Sequence, residues 1–163
     1  MKLIAEKLGK NEKYDRLKYL RSDGSQTQSA MPRQGTLPHD LVHYVVESAL
    51  PLRAGFLSLV AAGADAAFVM QAVHDQANAE AEAVQAEAVV EALQAQLWSG
   101  AFDPEAFLEG VCSACAARGQ PPFEFADANA GADLYRKALE LDRRWQPLAN
   151  FQSLTLEFFA GST

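Results

Sequence analysis

The stretch Arg16–Ser25, RLKYLRSDGS, decides the fold at the start of this 163-residue chain. Leu17 and Tyr19 alternate with charged residues, which is the period of a strand with one buried face. The Asp23-Gly24 pair that follows is typical of a tight hairpin, because glycine adopts positive φ angles without strain. This pattern predicts antiparallel strands at about residues 2–8, 13–21 and 25–31.

The end of the chain has the same period. Leu154, Leu156 and Phe158 recur at every second position, which predicts a final strand. A lone strand cannot satisfy its own backbone hydrogen-bonding groups. We therefore expect this strand to pair with the N-terminal sheet.

Between the two ends the apolar pattern becomes helical. Asp103-Pro104 is a strong helix start, because Asp accepts backbone N–H groups and Pro occupies a position whose N–H would be unpaired. Strands followed by helices and one more strand predict a single α+β domain over residues 1–163, with a small antiparallel sheet against several helices. Helices are expected at about Leu37–Pro51, Leu52–Gly63, Asp65–Trp98, Asp103–Gly119 and Gly131–Pro147, the third being a long Ala-rich helix.

Charge is distributed unevenly along the chain. Residues 1–33 hold eight Lys and Arg against four Asp and Glu, and the remainder holds six against seventeen, so the net charge of −7 divides into +4 and −11. The long interval from Arg53 to Arg118 contains acidic residues and no basic ones. Such a surface repels phosphate, which excludes nucleic acid and anionic membranes as partners of this half. We interpret the acids as a solvated helix face rather than a docking site for a basic partner.

Targeting and membrane signals are missing from the sequence. Met1–Lys7 lacks the apolar run of a signal peptide, and no later window approaches the roughly 20 apolar residues of a membrane span. Two cysteines three residues apart also suit a reducing compartment. We expect a cytoplasmic protein.

The strongest chemical motif is the stretch Leu37–Glu47, LPHDLVHYVVE. Because His39 and His43 are four residues apart, both imidazoles lie on one helix face and can reach one divalent metal ion such as zinc. The pattern is similar to the H-E-x-x-H of zincin metalloproteases, in which Glu activates the metal-bound water. Here Asp40 is one methylene shorter and points roughly 100° away, and Glu47 lies about 12 Å along the axis from His39, too far to share its ion.

A metal site at these histidines needs a third ligand from another segment. The evident donors are His74, Asp75 or an acidic residue of the long helix. The alternative is structural: Asp40 caps the helix, the two histidines make ordinary hydrogen bonds, and Glu47 pairs with Arg53 or a basic strand residue. We favour the structural interpretation, because two histidines at this spacing without an evident third ligand often bind no ion.

Cys112 and Cys115 form a C-x-x-C pattern, which occurs in redox dithiols and in zinc sites. A reactive dithiol has its thiolate near a helix N-terminus, where the dipole lowers the pKa of the thiol. This pair lies about three turns inside the helix that begins near Asp103, and the chain has no second C-x-x-C. We interpret the pair as helix packing beside Phe107 and Leu108.

From Arg33 to Phe56 the chain resembles a family of small uncharacterised bacterial proteins with a P-H-D-L-V-H-[FY]-V-V-E core, here Pro38–Glu47. The resemblance extends weakly to an N-terminal hairpin and to a closing strand after a W-x-x-L segment, here Trp145–Leu148. It implies a bacterial source and a shared α+β fold. It implies no activity.

Two hypotheses of different class follow for the function. The favoured one is a non-enzymatic binding or interaction module without a cofactor, which associates with itself or another protein through the Ala-rich helix. The alternative is a metal-dependent hydrolase that binds zinc or another divalent metal through His39 and His43 with an outside carboxylate. We favour the first because the second lacks an evident third ligand and general base. No Gly-rich phosphate loop or nucleophile elbow points to another enzyme class.

Overall fold

The structure is a computed structural model that describes residues 1–69 and 81–160. Its sheet agrees with the sequence prediction. The strands are β1 (Lys2–Glu6), β2 (Tyr14–Leu20), β3 (Gln26–Pro32) and β4 (Ser153–Glu157). The sheet has the order β3-β2-β1-β4, and all neighbouring strands are antiparallel. Leu3 of β1 lies opposite Tyr19 on one side and Leu156 on the other, which confirms that the final strand pairs with the N-terminal sheet.

The hairpin between β2 and β3 turns at the predicted residues. Arg21 N–H donates to the Ser25 carbonyl at 2.9 Å, and Gly24 has a φ of 84°. Asp23 Oδ1 accepts the Ser25 N–H at 2.8 Å. Glycine is needed at this turn because the left-handed backbone region disfavours residues with a Cβ.

The helices lie in the predicted order. The Asp103 carboxylate accepts the N–H groups of Glu105 and Ala106, which confirms the predicted helix start. The expected long helix is observed as a helical segment at residues 66–69 and as a 19-residue helix from Ala81; the middle of the expected helix lies outside the described residues. The labelled helices are α1 (His39–Ala49), α2 (Phe56–Ala61), α3 (Ala81–Ser99), α4 (Pro104–Ala117) and α5 (Ala130–Trp145).

Helix α3 is the central helix of the structure. It packs against α1, α4 and α5, and its small side chains allow close approach. A Cβ added to Gly110 of α4 would lie 3.3 Å from the Ala92 Cβ. Polar residues of α3 are buried as well, including Glu87, which is 3% exposed. The interpretation of the acids as a solvated face is therefore wrong at Glu87, because His39 and His43 of α1 cover the side of α3 that carries it.

The apolar residues of the sheet and helices form one connected core. Alternate residues of β1 and β2 face the helices, and the largest fully buried side chains include Trp145, Tyr19 and Phe107. None of the helices in the described residues is long and apolar enough to cross a bilayer. The architecture is the predicted α+β fold, in which α1 and α3 are held side by side.

Candidate metal centre

Two helices bring three metal-ligating side chains together. His39 and His43 of α1 face Glu87 of α3, and their ligand atoms all lie within 4.8 Å of one another. His39 Nε2 is 3.3 Å from Glu87 Oε1, and His43 Nε2 is 3.0 Å from Glu87 Oε2. We call these three residues the triad. The predicted pair of histidines on one helix face is confirmed, with ring centroids 5.0 Å apart.

Glu87, the third residue of the triad, is one of the acidic residues of the long helix, which the sequence indicated as a class of donor for a metal site at the two histidines. Nothing in the local pattern distinguishes Glu87 from its acidic neighbours in α3. Its role depends on which face of α3 packs against α1, and this is decided by tertiary packing. The other two suggested donors, His74 and Asp75, lie outside the described residues.

Glu47 orients the imidazole of His43. The Glu47 carboxylate lies 3.1 Å from His43 Nδ1 and accepts backbone N–H groups from Leu57 at 3.0 Å and Ser58 at 3.4 Å. Metal-binding histidines usually donate the second ring nitrogen to a carboxylate or carbonyl in this way, which fixes the tautomer and ring orientation. With Nδ1 engaged by Glu47, Nε2 is directed at Glu87.

The expected pairing of Glu47 with Arg53 or a strand residue is wrong. Its side chain is fully buried, and it is held by His43 and by the start of α2 instead. Gly55 makes this possible, because a Cβ at that position would overlap the Glu47 carboxylate. Neither contact of Glu47, with His43 or with the start of α2, was predicted from the sequence. The four-residue spacing from His43 to Glu47 was the available signal for the first.

Asp40 does not cap α1, contrary to the structural interpretation of the sequence. No side chain caps this helix, and the buried Asp40 accepts a hydrogen bond from the Ser29 hydroxyl at 2.6 Å. The Tyr19 hydroxyl lies 3.0 Å from the same Ser29 oxygen. Burial raises the pKa of Asp40, and burial together with the Asp40 charge raises the pKa of Tyr19.

Electrostatics at the triad favour a positive charge between carboxylates. Burial alone would lower the pKa of His43, but the Glu47 and Glu87 carboxylates on either side raise it to about 10. Burial opposes ionisation of Glu87 as well, but His39 and His43 hold its pKa well below the usual range. The two carboxylates therefore favour the protonated form of His43 in the metal-free protein.

Two atoms of the triad lack hydrogen-bond partners among the described residues. They are His43 Nε2 and Glu87 Oε1, both buried. The 3.0 Å contact of His43 Nε2 with Glu87 is close enough for an ion pair, but its angles are not those of a hydrogen bond. An unsatisfied buried polar group costs about 1–3 kcal/mol. A cation between the ligand atoms would satisfy both atoms at once.

The two short contacts of the triad reach different oxygens of Glu87, because His39 lies 3.3 Å from Oε1 and His43 lies 3.0 Å from Oε2. Around a tetrahedral zinc ion with bonds of about 2.0–2.1 Å, neighbouring ligand atoms are about 3.3 Å apart. The three ligand atoms of the triad, one from each residue, lie within 4.8 Å of one another. Two imidazoles and one carboxylate form the donor set of several catalytic zinc sites, in which a water completes the coordination.

An open pocket of about 410 Å³ reaches the triad from solvent. His39 and Glu87 lie in its wall, whereas His43 is enclosed behind them. A ligand in the pocket could therefore reach a bound ion. The lining residues are Ala30, Pro32, Gln34, His39, Asp40, Glu87, Glu91, Gln94 and Trp98.

The cysteine pair forms no comparable cluster. Cys112 is exposed and Cys115 is buried in the core, and both thiols are free. Both lie well inside α4, as the sequence indicated, and burial raises the pKa of the Cys115 thiol. Among the described residues, the metal-ligating clusters do not include either cysteine.

Comparison with known proteins adds no functional information. No protein-family model, no curated protein and no solved structure matches this chain. The functional interpretation therefore depends on the geometry of the triad and its pocket.

Proposed function

We propose that this protein binds a divalent transition-metal ion, with zinc as the leading candidate, through His39, His43 and Glu87. The observation that carries the proposal is the convergence of three ligand atoms within 4.8 Å at the wall of an open pocket. The buried unsatisfied atoms of His43 and Glu87 support it, as does the orientation of His43 by Glu47.

The proposed activity class is metal-dependent hydrolysis. Structural zinc sites are normally closed by four protein ligands, whereas catalytic sites use three and leave a position for water or substrate. The triad offers three ligands, and the pocket leads to them. In hydrolases with such sites the metal-bound water supplies the nucleophile.

The interaction-module hypothesis receives less support from the geometry. It depended on an apolar stripe of the Ala-rich helix, yet from Ala81 to Ser99 the apolar residues are largely buried inside the chain itself. Self-association, a bacterial source and a cytoplasmic location remain predictions from the sequence.

Elemental analysis of protein purified without a polyhistidine tag tests the proposal. After incubation with Zn²⁺, Mn²⁺ or Fe²⁺ and removal of excess metal, we expect near-stoichiometric retention of one of these ions. His43→Ala should abolish retention, because it removes the buried ligand of the triad, while circular dichroism reports whether the variant is folded.

The matched control is Cys115→Ala, which removes another buried side chain that could ligate a metal, on α4. The Cys115→Ala protein should retain the metal. A folded wild-type protein that retains none of the three ions would contradict the proposal, as would equal retention by His43→Ala.

A further inference from the structure

We propose that the pocket beside the triad binds an extended peptide segment, whose backbone N–H groups are recognised by the protein. The inference rests on the proposed function and names the ligand class of the same site. Three features of the pocket support it: its length, an open strand edge and an amide oxygen without a hydrogen-bond partner.

The pocket is elongated along α3. Glu87, Glu91, Gln94 and Trp98 all line it. Their spacing of four, three and four residues places them on one helix face over about 16 Å of axis. A ligand that fills this length extends from the triad to Trp98, which is 59% exposed. An extended peptide of about five residues has this span.

The opposite wall includes the open edge of the sheet. β3 is an outer strand. Backbone hydrogen bonds join Arg33 to Lys13 and Arg21 to Ser25, so the odd-numbered residues of β3 bond to β2. In an antiparallel pair the intervening residues direct their backbone groups away from the partner strand.

Ala30 and Pro32 are even-numbered residues of β3, so their backbone groups point away from β2. Both residues line the pocket. No partner for their outward backbone groups is found within residues 1–69 and 81–160. Proline at an outward position is consistent with this, because it has no N–H to donate. A peptide that adds to a free strand edge uses the backbone groups that such an edge leaves unpaired.

Gln94 provides a buried acceptor in the same pocket. Its Nε2 donates to the Leu37 carbonyl at 3.2 Å, and this carbonyl can only accept, so the orientation of the amide is fixed. Gln94 Oε1 then has no partner among the described residues, although the side chain is 2% exposed. A ligand N–H would complete it.

Isothermal titration calorimetry on the zinc-loaded protein tests the inference. The probe is acetyl-Ala-Leu-Lys-hydroxamate, whose hydroxamate can ligate the metal, compared with acetohydroxamate as the head group alone. We expect the peptide hydroxamate to bind at least tenfold more tightly than acetohydroxamate. N-methylation of its backbone amides should remove most of this gain, since it removes the N–H donors without changing the head group.

Substitutions of residues that line the pocket show which of them contribute to peptide binding. Gln94→Leu and Trp98→Ala should each weaken peptide binding several-fold and leave acetohydroxamate binding unchanged. Gln85→Leu on the same helix and Phe151→Ala, another exposed aromatic residue, lie outside the pocket and serve as controls.

The outcomes separate this inference from the proposed function. Zinc uptake with equal affinity for the peptide and for acetohydroxamate would overturn the inference alone. Equal binding of the N-methylated peptide would do the same. A protein that takes up no metal would overturn the proposed function, and the inference would fail with it.

Discussion

In the described part of the chain α1 carries a short-spaced pair of histidines and α4 a short-spaced pair of cysteines, and of these two pairs the histidines become part of a metal-ligating cluster. On α1, His39 and His43 face a carboxylate of α3. On α4, Cys112 points to solvent and Cys115 into the core. In the sequence both motifs have the spacing of metal ligands on one helix, and the histidine motif is the stronger of the two. They differ in what the neighbouring helix presents to them.

On α1 the four-residue spacing brings two potential ligands, His39 and His43, to one helix face. The third member of the cluster, Glu87, comes from α3, which packs against α1. α4 packs closely on α3 at Gly110 and Ala92, and among the described residues neither cysteine of α4 belongs to a metal-ligating cluster.

The largest effect is expected from Glu87→Ala. This substitution leaves the two histidines of α1 without a facing carboxylate from α3, so that they lack a third potential ligand, as the cysteines of α4 do. Metal affinity should fall by more than about 100-fold, because two imidazoles from one helix remain. The metal-free protein should also lose about 3 kcal/mol of stability, since His43 keeps one buried carboxylate instead of two. Competition with a chromogenic chelator and urea unfolding measure the two effects.

Glu91→Ala is the control for Glu87→Ala. It removes a carboxylate one turn further along α3 that lines the pocket but is outside the triad. Its metal affinity should stay within a few-fold of the wild type. Equal losses in both variants would show that pocket charge, and not ligation, determines binding.

A smaller effect is expected from Glu47→Gln, which keeps the shape of the side chain but removes its charge. Loss of the carboxylate beside His43 Nδ1 should weaken metal binding about 10- to 100-fold. Glu82→Gln is a matched control, because Glu82 also accepts a backbone N–H, from Ala54, away from the triad. Unchanged metal affinity in the Glu47→Gln variant would contradict the role of Glu47 in orienting His43.

Metal affinity should also depend on pH. The pKa of His43 is raised to about 10 without metal, so at neutral pH the ion must displace a proton from this imidazole. Affinity should therefore fall by about tenfold for each unit that pH is lowered below that value. Chelator competition at pH 6, 7 and 8 measures the slope. A flat profile would mean that His43 does not ligate.

The same pKa shift predicts the opposite trend for the metal-free protein. A raised pKa in the folded state means that the charged imidazole stabilises the fold fully below about pH 6.5. This contribution is lost as pH rises through about 10. Urea unfolding of metal-free protein across this window should show decreasing stability, with His43→Gln as the control that lacks the slope.

The smallest effect is expected at the cysteines. Iodoacetamide should modify Cys112 and spare Cys115, because Cys115 is buried and burial raises the pKa of its thiol. Mass spectrometry of the folded protein reads this out. Cys112→Ser should leave metal content unchanged, and a loss of metal in this variant would contradict the contrast between α1 and α4.

Much of the fold could be predicted from the sequence. Alternating apolar residues in β2 and β4, the turn at Asp23-Gly24 and the helix start at Asp103 all act through local backbone preferences. These elements could therefore be predicted from short stretches of the sequence. The partner of β4 was also predictable, because an isolated strand leaves its backbone groups unsatisfied.

The candidate site could be predicted only in part. The helical repeat places His39 and His43 on one face whatever surrounds them. No local pattern distinguishes Glu87 from the other acids of α3, and none predicts that Gly55 leaves room for the Glu47 carboxylate. Both depend on which surfaces meet, and these surfaces belong to segments that are distant in the chain.

The sequence by itself thus determined the strands, most helix limits, the charge asymmetry and the pair of imidazoles, because each follows from neighbours within about one helical turn or from composition. Only the tertiary structure decided that Glu87 is buried and faces both histidines, that Glu47 fixes one of them, and that the pocket opens beside them. The physical reason is packing. A carboxylate becomes a buried ligand when two helices exclude water around it, and that depends on the contact between α1 and α3 rather than on the residues next to it in the chain.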